Sequence, residues 1–131
     1  YFVPRRCAVD AMRAVAQLSD GLAPILGVSE IRTVAADQLW LSPSYGQEIV
    51  GIHFNWHKNW EAVEKFLPEL EAALAPFVPR PHWGKLFGIA PADVRAAYPR
   101  MADFQELART LDPQGKFRNR YVERYVFGLP V

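Results

Sequence analysis

The order of apolar and polar segments predicts an α+β fold. It is a ferredoxin-like antiparallel sheet with helices on one face, followed by a helical C-terminal tail. Three observations predict it. Residues 27–35 and 49–57 alternate apolar and polar side chains with the period of a strand. Residues 8–18 and 60–77 instead repeat apolar side chains near every 3.6 positions. The segments follow one another as strand, helix, strand, strand, helix and then shorter pieces, close to a split β-α-β order.

Taken in order, Tyr1 to Val3 reads as a short strand ended by Pro4. Val9, Met12, Val15, Ala16 and Leu18 give the first helix, which extends toward Pro24. Gly27 breaks it, and Gly27-Val-Ser-Glu-Ile-Arg-Thr-Val-Ala35 is the next strand. Asp37 to Leu41 suits a brief strand or the base of a link, and Ser42-Pro-Ser-Tyr-Gly46 supplies turn residues. Ile49-Val-Gly-Ile-His-Phe-Asn-Trp-His57 follows as the third principal strand. Asn59 is suited to cap a helix. Trp60, Val63, Phe66, Leu67, Leu70, Ala73, Leu74 and Phe77 form that helix's apolar stripe, with Glu61, Glu64, Glu69 and Glu71 on its wet side. Pro68 falls inside it and predicts a kink or a split. His82 to Phe87 is a strand or a loop, and 91–98 and 99–111 are short helices. Asp112-Pro-Gln-Gly115 is a turn, and Tyr121 to Phe127 alternates weakly, as in a terminal strand.

The chain has 131 residues and reads as one domain over 1–131, with half its residues apolar and so able to build a core. A net charge of +1 with mixed signs gives no electrostatic case for nucleic acid or an anionic membrane surface. No apolar run approaches the roughly 18 residues of a membrane span, and no signal-peptide pattern is visible. One cysteine, Cys7, allows no internal disulfide and suits a reducing, cytoplasmic setting. The apolar, strand-like opening at Tyr1 suggests a segment of a longer polypeptide.

Alternation places Glu30 and Arg32 on one strand face, and His53, Asn55 and His57 on one face of the next. Antiparallel pairing with the apolar sides together gathers Glu30, Arg32, His53 and Asn55 on one polar sheet face. From the pattern alone this is either solvated surface or the floor of a site. Acid, guanidinium, imidazole and amide together offer the acceptors and donors that grip several hydroxyl groups, and an imidazole can take a proton from an alcohol. In His82-Trp-Gly-Lys85, the lysine is either a surface residue or a cation delivered to a cleft, where it would stabilise negative charge on oxygen. His53 and His57 sit roughly 13 Å apart on a strand, too far to share one metal ion. No Gly-x-Gly-x-x-Gly, phosphate-loop or Gly-x-Ser-x-Gly pattern occurs.

Six segments together carry a family resemblance: Glu30-Ile-Arg-Thr-Val-Ala-Ala-Asp37, Trp40-Leu-Ser-Pro-Ser-Tyr-Gly46, His53-Phe-Asn-Trp56, Arg80-Pro-His-Trp-Gly-Lys85, Tyr98-Pro-Arg-Met-Ala-Asp-Phe104 and Leu111-Asp-Pro-Gln-Gly-Lys-Phe-Arg-Asn119. In this order they resemble the C-terminal part of flavin-dependent alditol and aldonolactone oxidases of the vanillyl-alcohol-oxidase type. The resemblance implies a cap over the flavin of an N-terminal FAD-binding domain that lies outside this chain, together with a C-terminal tail. It implies that the primary alcohol of a polyol such as xylitol or sorbitol is oxidised by hydride transfer to FAD, with dioxygen returning the flavin to its oxidised form and giving hydrogen peroxide. It further implies that Arg32 and Lys85 face the reacting oxygen, that His53 takes or relays the hydroxyl proton, and that Glu30 and Asn55 bind hydroxyls further along. Asn55 departs from the threonine of the alditol oxidases, which leaves the polyol preference open. The isolated chain is then expected to bind no FAD and to turn over no alditol. The competing readings are the cap of an aldonolactone oxidase and a stand-alone, non-enzymatic ferredoxin-like binding module. Against base stacking in such a module, Phe54 and Trp56 fall on the face opposite His53 and Asn55.

Overall fold

A computed structural model describes residues 1–130. Its strands are β1 (Phe2–Pro4), β2 (Leu26–Val34) and β3 (Ile49–Trp56), and its helices are α1 (Ala8–Ala16), α2 (Ser19–Leu22), α3 (Trp60–Leu74), α4 (Pro91–Ala96), α5 (Met101–Leu111) and α6 (Arg120–Val122). The sheet is antiparallel with β3 in the middle, in the order β1-β3-β2. The α+β architecture with a helical tail is therefore present.

Val50 and Ile52 of β3 point into the main core with Val3, Ala11, Val15, Val63, Leu67, Leu70 and Leu74. Phe54 and Trp56 pack against its border and stack on each other at 5.3 Å. The two-residue alternation thus turns His53 and Asn55 to the opposite face. α1 and α3 lie on the apolar side because each carries one apolar stripe. Asn59 caps α3, its side-chain oxygen accepting the Ala62 N–H at 3.3 Å. Pro68 does not split α3, which runs unbroken across it. Trp60 leaves the stripe and is exposed, because it sits in the first turn. Glu71 leaves the wet side: it accepts the Tyr1 hydroxyl at 2.5 Å and the Gly88 N–H at 2.6 Å.

Other expectations shift at their edges. The first helix stops at Ala16 and restarts as α2, with a turn at Gln17 and Leu18 between them. Residues 37–41 form no strand; Asp37 makes one bridge to Tyr45. There the Asp37 carboxylate accepts from the hydroxyls of Ser42 and Ser44 and from the Leu39 N–H, which holds the link as a closed turn. The segment 82–87 is a loop, with the Lys85 N–H bonded to the His82 carbonyl at 3.0 Å.

Tyr121 to Phe127 is not a strand. α6 starts under an Asn119 cap, whose oxygen accepts the Val122 N–H at 2.9 Å, and widens into a π-helical turn over Glu123–Phe127. Its repeat is four residues, not two. Val122 and Val126 face a second core with Val94, Tyr98 and Met101, while the Tyr121 and Tyr125 rings meet at 4.8 Å, tilted by 43°. Gly128 ends it with φ +70°, a left-handed conformation suited to glycine. Among the described residues no helix is long and apolar enough to cross a membrane.

Candidate functional site

The pairing of β2 with β3 sets the site. Glu30 lies directly opposite His53, and Arg32 opposite Gly51. The same register places Asn55 opposite Val28, and it shifts only beyond that pair, between Val28 and Leu26. Directly opposed residues share a face, so the polar side chains meet. Arg32 Nη2 donates to Glu30 Oε2 at 2.7 Å, and His53 Nδ1 lies 3.3 Å from the same oxygen. Hydrogen bonding from His53 first, and then from Arg32, holds the Glu30 carboxyl below its ordinary pKa. Glu30 is therefore a carboxylate at neutral pH and holds both the Arg32 guanidinium and the His53 ring in place.

A cavity of about 600 Å³ adjoins this face, lined by Arg32, His53, Asn55, His82 and Lys85 and also by the aromatic rings of Tyr1, Phe2, Phe54 and Trp56. Four of the five residues singled out from the sequence thus border one space, and the fifth, Glu30, bonds to two of them. The side chains of Arg32, Glu30 and His53 are 72%, 44% and 38% exposed, so the polar wall stands open to solvent on one side. His57 and Cys7 are not in its lining.

The loop after Arg80 delivers Lys85. The Arg80 backbone bridges to Phe2 of β1 in both directions, with bonds of 2.8 and 2.9 Å. The Arg80 guanidinium is buried and donates to the carbonyls of Pro43 at 2.7 Å and Ala97 at 2.9 Å. It thereby ties the β2–β3 link to the end of α4. The next residues divide their side chains. Trp83 enters the second core, donating its indole N–H to Leu41 O at 2.9 Å and packing on Tyr98 at 4.9 Å. His82 and Lys85 remain at the cavity. The Glu71 bond to Gly88 closes the loop's far end.

Sequence reasoning missed His82, Phe2, Glu71 and Arg80. His82 stacks on Phe2 at 5.7 Å, and Phe2 occupies the space above Gly51, where a Cβ would come within 3.0 Å of its ring. A glycine in mid-strand is the signal for such a close approach. For His82 the signal was its place in the His-Trp-Gly-Lys stretch, where only the lysine was singled out.

The family model described as D-arabinono-1,4-lactone oxidase matches residues 1–125. The chain is 50% identical over 128 residues to an alditol oxidase from a Streptomyces strain, covering 98% of this chain and 31% of that protein. It is 30% identical over 125 residues to an L-gulono-1,4-lactone dehydrogenase of Mycobacterium tuberculosis, covering 95% of this chain and 29% of the other. Against an L-gulonolactone oxidase of Scyliorhinus torazame the identity is 31% over 101 residues, covering 75% and 23% respectively. The chain thus spans less than a third of the length of these relatives.

Proposed function

The chain belongs to the D-arabinono-1,4-lactone oxidase family, and from that premise we propose that it is the substrate-binding cap of a flavin-dependent alditol oxidase. The observation that carries this reading is the convergence of Arg32, His53, Asn55 and Lys85 on one open cavity, with Glu30 bonded to two of them. Two cations, an imidazole and an amide suit a chain of hydroxyl groups better than an apolar ligand. They also suit the wall opposite a flavin, whose dinucleotide would be held in another part of a longer polypeptide, in keeping with the chain's span of 31% of the alditol oxidase it matches. When bound there, FAD would accept the hydride and pass its electrons to dioxygen, giving hydrogen peroxide.

In this reading the chain's own residues bind, orient and move a proton. Arg32 and Lys85 bring positive charge to the reacting oxygen and favour its alkoxide character in the transition state. His53 Nε2 takes the hydroxyl proton, with Nδ1 held by Glu30 so that the ring keeps its orientation. Asn55 and Glu30 bind hydroxyls further along the substrate. Single cysteine usage makes the cytoplasm part of the same proposal.

A lactone substrate is the second reading, favoured by the family description and by the two lactone-named relatives. The deciding experiment presents alditols and aldonolactones to the full-length protein and detects peroxide. Turnover of xylitol or sorbitol with peroxide release is the expected result; turnover of lactones alone would overturn it. Lys85→Met should slow anaerobic flavin reduction by about tenfold or more, the order expected for one lost charge-assisted bond. An unchanged rate removes Lys85 from the mechanism.

A further inference from the structure

The cavity holds two imidazoles, and their hydrogen bonds run in opposite senses. His53 Nδ1 faces the Glu30 carboxylate at 3.3 Å. A carboxylate accepts, so Nδ1 carries the proton, and in the neutral ring Nε2 keeps a lone pair. His82 Nδ1 faces a donor instead, the backbone N–H of Gly84 at 3.0 Å. Its Nδ1 must therefore be bare, and its ring proton sits on Nε2. Burial, and next the nearby Lys85 charge, lower the pKa of His82 and keep that ring neutral. Phe2 stacks on its face with 28° between the ring planes, which limits rotation.

We infer that His82 is a substrate-binding residue that donates from Nε2 to an oxygen of the polyol, complementing the acceptor at His53, so that the pair reads two neighbouring hydroxyl groups. One hydroxyl gives its proton toward His53, and the oxygen next to it receives the N–H of His82. A vicinal diol supplies these two roles on adjacent carbons. A primary alcohol without a neighbouring hydroxyl supplies only one of them. This rests on the reading of the cavity as a polyol site.

The alternative is that His82 serves only to hold the turn at Gly84. Two isosteric variants of the full-length protein separate the roles. His82→Asn places an amide oxygen near the position of Nδ1, so the Gly84 bond survives and the far donor is lost. His82→Gln places an amide N–H near the position of Nε2, so the donor survives and the turn bond is lost. With xylitol, His82→Asn should raise KM about tenfold, and His82→Gln should stay within about threefold of wild type. With 1,3-propanediol, whose primary alcohols have no hydroxyl on the adjacent carbon, the two variants should match wild type. The reverse order, with Asn like wild type and Gln impaired, leaves His82 a turn residue and overturns the inference. A readout free of turnover is the ¹⁵N spectrum of histidine-labelled protein. It should show His82 protonated at Nε2 and His53 at Nδ1, with xylitol shifting the His82 Nε2 signal. Peroxide release with an unshifted His82 overturns this inference alone; no peroxide from any alditol and no shift overturns the polyol reading with it.

Discussion

Glu30 is the residue on which the polar wall turns, because Arg32 and His53 both approach its Oε2. Removing its charge frees the guanidinium and the imidazole together, so a Glu30→Gln variant should lose more than one hydroxyl contact. We expect kcat/KM for a polyol to fall at least tenfold in the full-length protein, the order set by one charge-assisted bond. The pH dependence has a definite sign. The Glu30 pKa is depressed in the folded protein, so the cluster is complete above the ordinary glutamate range of about 4.3 and is lost as pH falls through the depressed value. Steady-state KM measured down the acid limb should stay flat to that range and rise below it. A rise already complete at neutral pH would assign the effect to another group. At this scale the shared face was legible in the sequence, since strand alternation alone puts Glu30, Arg32, His53 and Asn55 on one side of the sheet, while its reading as a site rests on the family resemblance. His82 was not, because its polarity comes from a loop N–H at Gly84, and no periodic pattern announces that contact.

At the scale of elements, Lys85 depends on a loop fastened at both ends. Arg80 secures the start through β1 and two carbonyls, and Glu71 of α3 secures the finish at Gly88 while also accepting from Tyr1, a cavity residue. Burial, and then the Glu71 hydrogen bond, raise the pKa of the Tyr1 phenol, so it remains a donor across the working range of pH. Glu71→Ala should therefore cost about 1.5–3 kcal/mol, as for a hydrogen bond to a charged group. Urea unfolding measures the loss, and hydrogen exchange should report faster opening of residues 82–89. Stability and exchange equal to wild type would show the loop to be fixed by Arg80 and Trp83 alone. Helix periodicity marked Glu71 as a solvent residue because it falls off the apolar stripe. What draws it inward is a phenol and a backbone N–H from segments distant in sequence, which a local pattern does not contain. The misreading of Tyr121 to Phe127 has a different cause. β-branched and aromatic side chains favour strands, but the four-residue spacing of Val122 with Val126 and of Tyr121 with Tyr125 is helical, and packing on the second core follows that spacing.

Across the whole molecule, the sheet is finished on one side and bare on the other. β1 and β3 are covered by α1 and α3, whereas nearly every residue of β2 is exposed, including Val28 at 50%, Ile31 at 49% and Val34 at 40%. Ile31 pairs with Ile52 on the apolar face, yet the helices stop short of it, so alternation assigned its face correctly and not its burial. β2 also pairs only with β3, which leaves the other edge of a nine-residue strand unpaired among the described residues. Such an edge carries the hazard of strand addition, and β2 contains no proline to blunt it. The 131 residues prepared alone should therefore self-associate through β2. Sedimentation velocity should show a concentration-dependent shift toward dimers or larger species. Ile31→Lys should move the population back to monomer, because a charge on the apolar face opposes stacking of two uncovered sheets. The substitution spares the cavity, since Ile31 faces away from Glu30 and Arg32. A wild-type chain that stays monomeric at every concentration, or an Ile31→Lys chain that associates as strongly, would show that this edge protects itself.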